Sequence, residues 1–205
     1  MRDYIHDKVV TIKKIYKTND PFELADELGV TISYRNNFKI LKGYFIMMNG
    51  YPYIVVNSNL DYNEQRMIVA HELGHYLFHK ELAQDGPLHD TFLYDMKSTT
   101  EYEANMFAAD FLVDDETIED FAEQDFDYYN MCGLLQISPE MTAFKLYNMI
   151  QRGYKYNLPQ SVRARNIRRY KPGKSPLPMY LSIACSINKG FRRETTTQNA
   201  IISRT

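Results

Sequence analysis

A chain of 205 residues that is 44% hydrophobic and 24% charged has ordinary globular composition, which excludes a disordered or fibrous protein. No run approaches about 18 uninterrupted apolar residues, so no membrane span is predicted, the charged start Met1-Arg2-Asp3-Tyr4-Ile5-His6-Asp7 lacks the apolar stretch of a secretory signal, and Cys132 and Cys185 fit no metal or redox spacing, reading as reduced thiols of a cytoplasmic protein. The net charge of −2 conceals an asymmetry: residues 161–205 hold ten Lys and Arg against one acid, Glu194, whereas the rest of the chain holds 14 against 25.

Residues 3–17 are predicted to form an amphipathic helix, with Val9, Ile12 and Tyr16 at helical spacing. Asn19-Asp20-Pro21 is a helix start, a capping side chain followed by a proline that needs no N–H partner in the first turn. Phe22, Leu24, Ala25 and Leu28 continue this short helix and Gly29 ends it. Strands are predicted over 31–34, 43–47 and 53–57, the last two joined by a hairpin turn at Asn49-Gly50. A helix over about 61–80 follows, capped by Asn59 or Asp61, then a loop over 84–90 and a helix over about 100–113. Residues 115–132 read as one acidic helix. Ser138-Pro139-Glu140 starts a helix that reaches about residue 151 and stops at Gly153. Beyond Leu158, Pro159, Pro172, Gly173, Pro176 and Pro178 break any regular pattern. The predicted fold class is α+β, a small, partly antiparallel sheet flanked by helices. The domain spans 1–157, with a C-terminal helix pair over about 115–152, and a basic, Pro-containing, flexible tail spans 158–205.

The segment His71-Glu72-Leu73-Gly74-His75 carries the chemistry. Two histidines four residues apart on a helix lie about 40° apart on one face, so both imidazoles reach one cation. Glu72, beside the first, is placed to take a proton from water activated by that cation. Val69, Ala70, Leu73, Tyr76 and Leu77 lie opposite the histidines, which predicts packing by that opposite face. Gly74, unfavourable in mid-helix, makes sense if another element approaches closely there.

A third ligand is needed. The arrangement with a third histidine ten residues after the first is excluded, because Phe78 and Glu81 stand where Gly and His are required. The alternative is a glutamate on a second helix, and Glu101-Tyr102-Glu103-Ala104-Asn105 supplies it. Glu101 and Asn105 share a stripe with Ala108 and Leu112, and Asn105 is placed to bond the outer nitrogen of a ligating histidine or the carboxylate itself. The small Ala104 and Ala108 allow the two helices to sit close. Glu103 competes as ligand, but it lies about 200° from Glu101, and Thr100-Glu101-Tyr102-Glu103 reads as a capping box that employs it otherwise. His79 reads as a cation favourable at a helix C-terminus, and not as a fourth ligand. His6 and His89 read as surface residues, and Tyr94 and Tyr102 are weak candidates for an oxyanion donor among 17 tyrosines.

The two segments together, His71-Glu72-Leu73-Gly74-His75 and Glu101 to Ala109, resemble the signatures of the ImmA/IrrE-type metallopeptidases. The resemblance covers about residues 20–155. It implies zinc, with His71, His75 and Glu101 as ligands and Glu72 as catalytic base. It also implies a protein substrate, since members resemble anti-repressors that cleave a helix-turn-helix repressor. The chain departs from the family at Asp114-Asp115, where a proline is common, and its tail beyond Leu158 matches nothing in the family.

Two other functions are weighed: a zinc-containing module that sequesters a repressor without cutting it, and a DNA-binding regulator. An intact Glu72 favours cleavage over sequestration. Residues 131–147 have a helix-turn-helix look, but Pro139, Glu140, Met141, Thr142, Ala143 and Phe144 precede the first basic residue, Lys145. A packing pair is expected in place of a DNA reader, which leaves only the basic tail as a contact for nucleic acid.

Overall fold

The computed structural model describes residues 4–84, 88–90 (backbone only) and 99–156. The tail over 158–205, Cys185, Tyr94 and the side chain of His89 lie outside the described residues. Helix α1 (Tyr4–Tyr16) buries Ile5, Val9 and Ile12 along one stripe. Helix α2 (Pro21–Glu27) is capped by Asp20, whose side chain accepts from the N–H of Phe22. Strands β1 (Thr31–Arg35), β2 (Gly43–Met48) and β3 (Tyr51–Asn57) follow, then helix α3 (Tyr62–His79), capped by Asp61 through the N–H of Glu64. Asn49 and Gly50 both have positive φ, as a two-residue hairpin turn of the right twist requires.

The sheet runs β1-β3-β2-β4, with β1 parallel to β3 and the other pairs antiparallel. Its fourth member, β4 (Leu88–Asp90), falls in the segment expected to be a loop. Three residues are too short to show an alternating pattern, and they are recruited by the edge of β2. The fold class is α+β as expected, a small sheet with seven helices among the described residues.

The acidic stretch expected to be one helix is two, α5 (Asp115–Glu123) and α6 (Tyr128–Leu135). Asp125 has positive φ, and the Asp127 carboxylate accepts from the N–H groups of Tyr129 and Asn130, capping a new helix. Helix α7 (Pro139–Gln151) starts at the cap Ser138 and is buried from Met141 through Met149. It is a packing helix, with no exposed face in its first turns to enter a groove.

Helix α3 does not pack by one face. Met67 through His75 are all buried, His71, Glu72 and His75 included. The cause is a neighbour on each side: β2 and β3, and α4 (Thr99–Leu112). Gly43 lets β2 approach, since a Cβ there would fall 2.5 Å from Ile68 Cγ2 and 2.9 Å from the Val55 carbonyl oxygen.

A second polar cluster ties α1, α4, α5 and α7 together. Lys145 Nζ lies 2.6 Å from Asp110 Oδ1 and 2.6 Å from Asp115 Oδ1. Arg152 pairs with Asp115 and donates to His6 Nε2, and His6 Nδ1 lies 2.6 Å from Asp110 Oδ2. His6, read as a surface residue, is thus a half-buried bridge between helices. Its apolar neighbours Ile5 and Val9 draw α1 onto the core, and the ring is carried with them. His6, Asp110 and Asp115 could together hold a cation, and the Lys145 ammonium already supplies one.

Burial alone would raise both aspartates. The hydrogen bond from His6 and the charge of Lys145 outweigh it at Asp110, and Arg152 and Lys145 outweigh it at Asp115, so both stay below the usual carboxylate range. A carboxyl with a depressed folded-state pKa stabilises above its ordinary value of 3.8 and loses that contribution as pH falls toward the folded value. Lys145→Met is therefore expected to lower the urea-unfolding free energy at pH 7 by up to about 3–5 kcal/mol, because it removes the ammonium shared by two buried carboxylates and leaves Asp110 to His6 and Asp115 to Arg152. The deficit should shrink below about pH 4. Unchanged stability at pH 7 would mean that the cluster carries no weight.

Candidate metal centre

The site is assembled where α3 crosses α4. A Cβ on Gly74 would lie 2.8 Å from Ala104 Cα and 3.1 Å from its carbonyl oxygen. The two backbones touch at that point, as the two small residues allow. Side chains one turn to either side are thereby brought together. His71 Nε2 and His75 Nε2 are 3.1 Å apart, and the Glu101 carboxylate lies 3.3 Å from the first and 3.4 Å from the second.

These separations suit a shared cation. Donors about 2.0–2.1 Å from a tetrahedral ion stand roughly 3.3 Å from one another. Two imidazoles and one carboxylate are also the donor chemistry of a catalytic zinc site, which uses three protein ligands. One ligand atom from each of the three lies within 4.8 Å of the others, close enough to hold one metal ion. Burial pushes the pKa of His75 down to about 4, with the neighbouring Glu101 opposing, so the ring is neutral and offers a lone pair at neutral pH.

The partner of each ring decides which nitrogen faces the cluster. His71 Nδ1 lies 3.0 Å from Asn105 Oδ1, an acceptor, so the hydrogen sits on Nδ1 and the Nε2 lone pair faces His75 and Glu101. This is the role expected of Asn105. Glu72 is buried within the same crossing, its Oε1 3.9 Å from where a Gly43 Cβ would be, so its carboxylate lies on the β2 side of α3.

Glu103 does not cap its helix. Helix α4 begins at Thr99, which places Thr100 inside it, and Glu103 Oε2 instead lies 2.8 Å from His79 Nε2. His79 is not solvated at the helix end either. It is buried, with its Nδ1 3.2 Å from His75 Nδ1. One signal for this was present in the chain: His71, His75 and His79 repeat every four residues along a single stripe. The Tyr102 ring packs against Phe144 and Tyr147.

Comparison with known proteins agrees with this geometry. Residues 25–147, more than half of the chain, match the peptidase family model described as the IrrE N-terminal-like domain. The chain is 29% identical over 134 residues to uncharacterized immunity region protein 2 of Bacillus phage phi105, covering 65% of this chain and 83% of that protein. It is 24% identical over 144 residues to metallopeptidase ImmA of Bacillus subtilis (strain 168), covering 69% of this chain and 83% of that protein.

The crossing can be tested directly. Gly74→Ala adds a helix-favouring residue, yet its methyl group would overlap the Ala104 backbone. The expected result is a loss of about 1–3 kcal/mol in unfolding free energy together with weaker metal uptake, read by thermal unfolding and metal analysis. A gain in stability would show that the helices are not held at this contact.

Proposed function

The chain belongs to the IrrE N-terminal-like peptidase family, and from that premise we propose that it is a zinc-dependent endopeptidase acting on a helix-turn-helix transcriptional repressor. The observation that carries the reading is the convergence of His71, His75 and Glu101 within 3.4 Å of one another beside a buried Glu72. In this reading the first three residues are the ligands and Glu72 is the general base.

Bound there, zinc would polarise a scissile carbonyl and make water a stronger acid. Glu72 accepts a proton from the attacking water and returns it to the departing amine. The buried setting limits competing solvent around that carboxylate. Asn105 keeps the His71 ring turned so that Nε2 faces the cluster. Among the described residues the sheet ends in β4, beside β2, whose Gly43 lies close to the Glu72 carboxylate, so an extended substrate backbone would pair along that edge.

The regulatory substrate is supported by the resemblance of the motifs and by the immunity-region name of the phage relative. Cleavage is favoured over sequestration because a protein that only binds has no use for a buried general base. A cytoplasmic location accords with the free, buried Cys132. No helix among the described residues is long and apolar enough to cross a membrane.

Metal analysis of the purified chain is expected to find about one zinc per molecule, as three protein ligands per catalytic site imply, and His75→Ala should lose it. Equal zinc in both proteins would move the site elsewhere. Glu72→Gln should keep the metal and slow cleavage of the repressor by about 100-fold or more, and full activity would require another base. Glu101→Gln should lower zinc affinity much more than Glu103→Gln does, and the reverse order would make Glu103 the ligand.

A further inference from the structure

The histidine stripe of α3 continues one turn past the proposed ligands. His79 is buried, and its two ring nitrogens are both engaged: Nε2 with Glu103 Oε2 at 2.8 Å, and Nδ1 with His75 Nδ1 at 3.2 Å. A carboxylate only accepts hydrogen bonds, so Nε2 of His79 carries the hydrogen. With that hydrogen placed on Nε2 by Glu103, Nδ1 is the accepting nitrogen of the ring. It faces His75 Nδ1, which must donate. The hydrogen of His75 is therefore held on Nδ1, and its Nε2 lone pair faces His71 and Glu101.

We propose that Glu103 and His79 are positioning residues for the metal centre, a relay through two rings that selects the His75 tautomer and ring orientation needed for ligation by Nε2. The inference rests on the reading of His71, His75 and Glu101 as zinc ligands. It assigns different work to two glutamates two residues apart on α4: Glu101 faces the cluster, and Glu103 acts on it through His79. It also makes the two ligating histidines unequal. His71 is held by one neutral amide, whereas His75 is held by a ring that is itself oriented by a carboxylate.

The alternative is a structural tie between the end of α3 and the start of α4, and the test must separate the two. Zinc affinity of the full chain would be measured by competition with a chromophoric chelator, and thermal unfolding of the metal-free proteins would be followed in parallel. His79→Leu and Glu103→Met are each expected to weaken zinc binding about 10–100-fold. Glu103→Gln, whose amide oxygen still accepts from His79, should stay close to wild type. The double variant His79→Leu/Glu103→Met should bind zinc no more weakly than the weaker single variant, because both act through one hydrogen. Wild-type affinity in both singles, full additivity in the double, or equal losses in Glu103→Gln and Glu103→Met that track metal-free stability would each overturn the relay. His75→Ala keeps the premise separate. If it binds zinc as the wild type does, the ligand assignment falls, and the relay falls with it.

Discussion

The contact on which the site depends is a backbone contact. Where Gly74 meets Ala104, two helices approach more closely than a side chain at position 74 would permit. The candidate ligands His71, His75 and Glu101 and the hydrogen bonds around them lie within about a turn and a half of that point. Larger residues there would part α3 from α4 and move Glu101, Glu103 and Asn105 away from their histidines together. On the far side of α3, Gly43 admits β2 in the same way. Two glycines thus place the HExxH helix in a slot, and the slot explains why its histidine face is buried.

Helix α4 is loaded at both ends. Its first turns carry Glu101, Glu103 and Asn105, and its later part carries Asp110, bound by Lys145 and His6. The second cluster is remote from the chemistry but anchors the helix that delivers the carboxylate. Removing one partner there leaves buried charge with less compensation, which is costly in a dry setting. Stability and site geometry are linked through one element, so loss of either is expected to show in the other.

Much of this was legible in the chain because local rules and tertiary structure agree. Asp20, Asp61 and Ser138 cap the helices they were expected to cap, and Asn49-Gly50 turns the hairpin. Helical phase pairs the two histidines and sets Glu101 with Asn105, the capping reading and the family resemblance favour Glu101 over Glu103, and the structure brings the four together. What escaped depends on partners distant in sequence. His79 and Glu103 have respectable local roles at helix ends, and only the α3–α4 packing shows that they spend their hydrogen bonds on each other. His6 looked solvated because its partners lie 104 and 146 residues away. The three-residue β4 has no pattern of its own, and the break between α5 and α6 turned on Asp127 acting as a cap within a stretch that reads as uniformly acidic.

The Gly74–Ala104 contact has a consequence for how such chains vary. Docking of the two helices is set by touching backbones, and not by the length of chain that joins them. As a general rule, lengthening a loop outside helices and strands is inexpensive, about 0.6 kcal/mol for each doubling. The number of residues between His75 and Glu101 is therefore a weak constraint, while a one-residue insertion inside either helix would rotate its donors by about 100° and dissolve the cluster. Chains that share this centre should be recognised by small residues in phase with their ligands on two helices, whatever the distance between the helices along the sequence.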